Sequence, residues 1–200
     1  DGKKIIHAEH DLIVVDDSWE PDPEIDALVD QAVAPHREEL AQVVGHTATD
    51  LNRYTVLEST MDNLLLQALL HATGTQMAFS NGWRYGAPVP RGPITLRDLW
   101  NMIPVNPPVS TCDLTGDELW TMMEENLERT FARNPYDQMG GYVKRCMGLY
   151  LYFKVENPAG ERICELFVGD EPVRPDKVYH VTYVTSQGVP AGYEIGRAHV

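Results

Sequence analysis

The sequence predicts a mixed α/β domain, and three patterns in its 200 residues carry that expectation. Helix-period segments alternate with short apolar runs from about Gly45 onward. Strand chemistry dominates beyond Pro135, and Gly/Pro-rich turns punctuate both stretches. Helices alternating with strands, followed by strands in succession, describe mixed sheets with flanking helices.

The elements follow in order. KKIIHA (3–8) and DLIVVD (11–16) are short apolar runs split by Glu9-His10 and read as a hairpin. Pro21-Asp22-Pro23 stops that sheet and opens a helix on which Ile25, Leu28, Val29, Ala32 and Val33 recur at helical spacing. Pro35 kinks or ends it, and His36 to Val44 continue it to Gly45 as a helix-terminating residue. This acidic helix reads as a linker over 21–45. GHTATDL is then a candidate strand, and Met61–Ala72 a strong helix with Leu64, Leu65, Ala68 and Leu69 on its apolar face, closed by Gly74. TQMAFS reads as a buried strand leading into a Gly/Pro-dense loop, Asn81 through Pro93. Thr95 and Asp98 stand at capping-box spacing for a helix through Leu99, Trp100 and Met102 to Pro104. Thr115-Gly116-Asp117-Glu118 caps a third helix carrying Leu119, Met122, Met123, Asn126 and Leu127. LYLYFKV (149–155), RICELFV (162–168) and KVYHVTYVT (177–185) are strands, with turns at Asn157–Gly160 and Gly169–Pro172.

Composition excludes several classes. With 43% hydrophobic and 23% charged residues the chain is neither disordered, collagen-like nor a disulfide-dense miniprotein. No apolar run approaches the roughly 18 residues of a membrane span. The opening DGKKIIHAEH has no signal-peptide core, and EIGRAHV (194–200) reads as one frame of a sequencing adapter, so the chain is expected to be a fragment cut at both ends. The net charge of −14 repels phosphate backbones. Arg84, Arg91 and Arg97 are dispersed and Lys144-Arg145 stands alone, so no nucleic-acid partner is expected. Cys112, Cys146 and Cys164 lack metal-site spacing and read as small buried hydrophobes on strands. His7, His10, His36, His46 and His71 are scattered without mutual spacing and make no ligand set.

The most informative stretch is Ser80-Asn81-Gly82-Trp83-Arg84-Tyr85-Gly86, at the end of a predicted buried strand. Binding residues concentrate on such rigidly supported loops. Gly82 and Gly86 permit close approach of backbone to ligand, and Arg84 offers a bidentate fork for a carboxylate, phosphate or sulfonate. The competing reading is an Asx turn at Asn81 and a surface ion pair at Arg84.

The run SNGWRYG…GPITLRDLWNMIP, followed by TGDEL, MGGYVKR and KVYHVTYVT, resembles the C-terminal domain of the 5′-nucleotidase family over about residues 45–193. The resemblance implies that family's fold of mixed sheets with flanking helices, with 46–193 as the substrate-binding domain. It further implies that residues 1–20 close an N-terminal metallophosphoesterase domain. Two divalent metal ions would then belong to that missing domain and no cofactor to this fragment, because the family's DxH, GDxx, GNHE and GHxH patterns are absent here. A periplasmic or extracellular location is implied in the same way.

Asn81 and Arg84 match the Asn and Arg of the family's NGGGxR loop, with Gly82 between them, and Gly140-Gly141 match its Gly-Gly before the next strand. Tyr193 is the candidate for the second base-stacking aromatic. The first, in a helix-ending LPF, is replaced here by Ile103-Pro104-Val105. The arginine before the family's E-x-N-x-G-N is also missing from TVLESTMDN. Those departures, with Asn134–Gly141 (NPYDQMGG) and GWRYG, are similar to the SoxB thiosulfohydrolases, which share the fold and the two-metal chemistry. The expected ligand is therefore a small anion, either a nucleotide or a sulfonate on a carrier protein. Beside these two hydrolase readings stands a third, a binding module without catalysis.

Overall fold

A computed structural model describes residues 5, 7–16, 18–80, 88–104, 106 and 108–183. The chain divides into two units, residues 1–40 and 41–200.

In the first unit, α1 (Pro23–Val33) starts where the sequence predicts. The Asp22 carboxylate caps it by accepting from the backbone of Glu24 and Ile25 at 2.9 and 3.2 Å. Pro35 interrupts the α-helical ladder with a 3₁₀ turn (Ala34–His36), and α2 (Arg37–Leu40) lasts one turn. Of the hairpin expected over 3–16, residues 3, 4 and 6 lie outside the described residues. Among the described residues of that stretch none lies in a strand, and Leu12 and Val15 are 91% and 84% exposed. An isolated two-stranded ribbon is marginal in water, and no described strand pairs with this one.

The second unit begins with another departure. Val43-Val44-Gly45 end no helix but open strand β1 (Val43–Thr47), which pairs antiparallel with β3 (Gly92–Thr95). Two adjacent β-branched valines favour that ladder over a continued helix. The central sheet has four strands in the order β4 (Ser110–Thr115), β9 (Val178–Tyr183), β2 (Met77–Ser80) and β5 (Arg145–Met147). Only β2 and β9 run parallel. A third sheet joins β6 (Leu149–Phe153), β7 (Ile163–Val168) and β8 (Glu171–Pro172).

The central sheet is apolar on both faces, so β2 is buried at all four positions. Ala78 faces a core built with Met61, Leu65, Leu66 and Leu69 of α3 (Thr60–Thr73) and with Met102 of α4 (Leu96–Met102). Met77 and Phe79 face a second core with Leu119, Met123 and Leu127 of α5 (Gly116–Thr130) and Leu149, Ile163 and Leu166 of the third sheet. The predicted Thr95–Asp98 capping box is present, and the predicted cap at Thr115 forms a second capping box with Glu118. Gly74 ends α3 in the left-handed conformation at φ +66°. The buried stripe of α3 is rotated from the predicted one, with Ala68 exposed and Met61 and Leu66 buried. Glu124 of α5 is buried because its two carboxylate oxygens accept from the backbone of Arg162 and Ile163 at 2.7 and 2.8 Å, tying the helix to β7.

All three cysteines lie on strands, but the expectation of uniform burial fails for Cys164, whose β7 position points outward. Burial, with Asp113 and Glu118 nearby, pushes the Cys112 thiol up to about 11. Burial and Glu58 push Cys146 up to about 12. A thiol whose pKa is raised stays protonated and unreactive at neutral pH. At pH 8 iodoacetamide is therefore expected to modify Cys164 first, and Cys112 and Cys146 only on unfolding, as mapped by peptide mass spectrometry. Native-state labelling of Cys112 at the rate of Cys164 would contradict this.

Candidate functional site

The topology gathers four chain segments at one end of the central sheet. β2 and β9 are parallel, so Ser80 and Tyr183 leave the sheet side by side. β5 and β4 run antiparallel to them, with Arg145 opposite Ser80 and Ser110 opposite Tyr183. The carboxyl ends of adjacent parallel strands are where open α/β sheets place ligands, because loops diverge there and leave a crevice.

Asn81, Gly82 and Arg84 follow Ser80 directly, and Tyr193 follows β9; all four lie outside the described residues. Gly140 and Gly141 are described and exposed, four to five residues before Arg145. Gly140 has φ +80° and open space where a side chain would project. Between them and β5 the chain is held on both sides. The Tyr142 carbonyl accepts from the Thr130 hydroxyl at 3.0 Å, the Val143 amide donates to the Val56 carbonyl at 2.8 Å, and the Lys144 amide donates to Asn126 Oδ1 at 2.6 Å.

Directly behind this end sits an ionic cluster that sequence reasoning missed. Asp62 on α3 is fully buried between Arg53, 3.4 Å from its Oδ1, and Arg145, 3.1 Å from its Oδ2. The Ser59 hydroxyl donates to Oδ2 at 2.7 Å. Arg53 also donates to the Met102 carbonyl at 3.1 Å, and Arg145 donates to the carbonyls of Thr55 and Leu57. Arg145 packs over the Tyr142 ring at 5.4 Å. Burial lowers the Arg53 pKa and Asp62 counters it. Arg145 thereby clamps segment 55–57 to β5. The signal was present in the sequence: Asp62 stands three, four and seven positions before Leu65, Leu66 and Leu69, a charge on an apolar stripe.

Among the described residues no group of three or more His, Cys, Asp or Glu is placed to hold a metal ion. No described helix is long and apolar enough to cross a membrane.

The parallel strand pair of this mixed-sheet domain ends at Ser80 and Tyr183, the kind of sheet end at which open α/β folds place ligands. The chain belongs to the 5′-nucleotidase C-terminal domain family, whose pattern matches residues 43–186. The trifunctional nucleotide phosphoesterase protein YfkN of Bacillus subtilis is 26% identical over 194 residues, covering 90% of this chain and 13% of its own length. Among solved structures, the sulfate thiohydrolase SoxB of Thermus thermophilus superposes with a TM-score of 0.75 at 26% identity, covering 86% of this chain and 33% of that one. A 5′-nucleotidase precursor, also from Thermus thermophilus, superposes with a TM-score of 0.67 at 27% identity, covering 80% and 32%. The chain thus spans about an eighth of YfkN and about a third of each solved relative.

Proposed function

We propose that this chain is the substrate-recognition domain of a two-metal hydrolase of the 5′-nucleotidase family, acting on nucleotide phosphate esters. The carrying observation is the family match over 43–186 together with β2 and β9, the strands that feed the Asn81–Arg84 loop and the Tyr193 segment, lying side by side and parallel. In this reading Arg84 forks onto the anionic group of the substrate, Asn81 and the backbone at Gly82 orient it, and Gly140-Gly141 let the opposing chain approach. An upstream metallophosphoesterase domain, assigned to residues before about 20, supplies both metal ions. The described residues offer no ligand set for them. A location outside the cytoplasm follows from the same kinship.

The second reading, a thiosulfohydrolase acting on a sulfonate carried by a protein, is favoured by the higher superposition on SoxB and by Val105 standing where nucleotidases place a stacking aromatic. Both substrates present a tetrahedral oxyanion, so one arginine serves either. The test is Arg84→Ala in the full-length enzyme, assayed with a nucleoside monophosphate and with a thiosulfonate. A lost charge-assisted contact of about 1.5–3 kcal/mol lowers kcat/KM roughly ten- to a hundredfold on the true substrate. Unchanged kinetics on both would overturn the assignment of this loop.

A further inference from the structure

We propose that Arg145 is a positioning residue for substrate recognition, holding Gly140-Gly141 and segment 55–57 in fixed relation at the end of the central sheet. The inference rests on the recognition-domain reading above.

Strand β5 is three residues long and, among the described residues, pairs with β2 alone. Three register pairs are a weak hold for the chain that carries Gly140-Gly141, which are exposed and have no side chains to anchor them. The rest of the hold comes from segment 55–57, which belongs to no helix or strand. All three of its carbonyls are engaged from the β5 side. The Val143 amide donates to Val56 at 2.8 Å, and Arg145 donates to Thr55 and Leu57.

Arg145 also has its Nε 3.1 Å from Asp62 Oδ2, with only 2% of its side chain exposed. A planar fork with its Nε on a buried carboxylate and its terminal nitrogens on two carbonyls is held in one orientation. On the backbone, Arg145 stands opposite Ser80, the residue that hands β2 over to the Asn81–Arg84 loop. One residue therefore ties together α3, segment 55–57 and the strand pair that delivers both candidate recognition segments.

Lysine keeps the charge beside Asp62 but has no fork to span both carbonyls. A misplacement of about 1 Å in a binding site can cost about a hundredfold, so the smaller release expected from Arg145→Lys should raise KM roughly tenfold. The chemistry belongs to another domain in this reading, so kcat should stay within about twofold. A purely structural role would do the reverse, lowering kcat through a smaller folded fraction and leaving KM unchanged.

The experiment compares Arg145→Lys with wild type and Arg84→Ala in the full-length enzyme, using adenosine monophosphate and a cysteine S-thiosulfonate. Thr55→Gly, at an exposed position, loosens the strap without touching the Asp62 contacts and should raise KM severalfold even if the lysine variant folds poorly. A rise in KM with kcat retained in either variant supports the inference. Unchanged KM in both, or a fall in kcat alone, overturns it. If Arg84→Ala raises KM and neither strap variant does, only the positioning role falls. If wild type turns over neither substrate, the recognition reading falls and this inference with it.

Discussion

Asp62→Ala is expected to cost about 3–5 kcal/mol of folding stability, because removing one partner of a buried ionic cluster strands the rest. Arg53 and Arg145 are 5% and 3% exposed, and neither can reach water without dismantling the packing around α3. Their mutual repulsion, screened here by Asp62, would become uncompensated. The same substitution removes the acceptor of the Ser59 hydroxyl at the start of α3. Asp62→Asn keeps the shape and loses the charge, so it should recover only part of the loss. Urea unfolding of the purified chain measures both, and a cost under about 1 kcal/mol for Asp62→Ala would refute the role given to the cluster. Against the roughly 5–15 kcal/mol total of an ordinary domain, the expected loss is large.

Gly148→Ala is the second large effect. Gly148 joins β5 to β6 at φ +83°, and a Cβ there would sit well under 3.0 Å from the Gln76 carbonyl oxygen. The conformation alone costs about 1–2 kcal/mol for a residue with a side chain. The backbone contact cannot be relieved by a rotamer change, so β2 or β5 must shift. Gly160 provides the control: its φ is +81°, and nothing lies within 4 Å of the added atom. Gly148→Ala should therefore exceed Gly160→Ala by at least about 1 kcal/mol in urea midpoint analysis. Equal costs would show that the close approach is not tight in solution.

What the sequence revealed and what it hid divide along the range of the interactions involved. Thr95 with Asp98, Thr115 with Glu118 and the left-handed Gly74 are local devices, complete within four or five residues, and all are where the residues place them. Strand β4 is illegible in the sequence because Ser110, Thr111, Asp113 and Thr115 dilute its two buried positions, Cys112 and Leu114. It exists because β9 offers it a ladder, which is information 63 to 73 residues away. The apolar run DLIVVD fails in the opposite sense, having strand composition without a strand partner among the described residues. At the site, the positions of the loops follow from strand order and from family likeness. The Arg53–Asp62–Arg145 cluster follows from neither, since its members are brought together only by the fold. Asp62 on an apolar stripe is the one hint, and Arg145 reads in the sequence as half of an isolated basic pair.

The strand order β4-β9-β2-β5 also governs how the chain must be built. Gln76 and His180, which bond across the β2–β9 junction, are 104 residues apart. At about 5–20 residues per second, synthesis leaves β2 waiting roughly 5–20 s for the strand that fills the centre of its sheet. During that interval Met77, Ala78 and Phe79, later almost wholly enclosed, lack β9 along one edge and, until β5 is made, a partner along the other, with two apolar faces to cover. Helix α3 is contiguous with β2 and can shield one face at once; the other depends on α5 and the third sheet. Such late closure slows folding and exposes a sticky strand to its neighbours on other chains. Expression yield should accordingly depend more on temperature and holdase supply than on the stability of the finished domain.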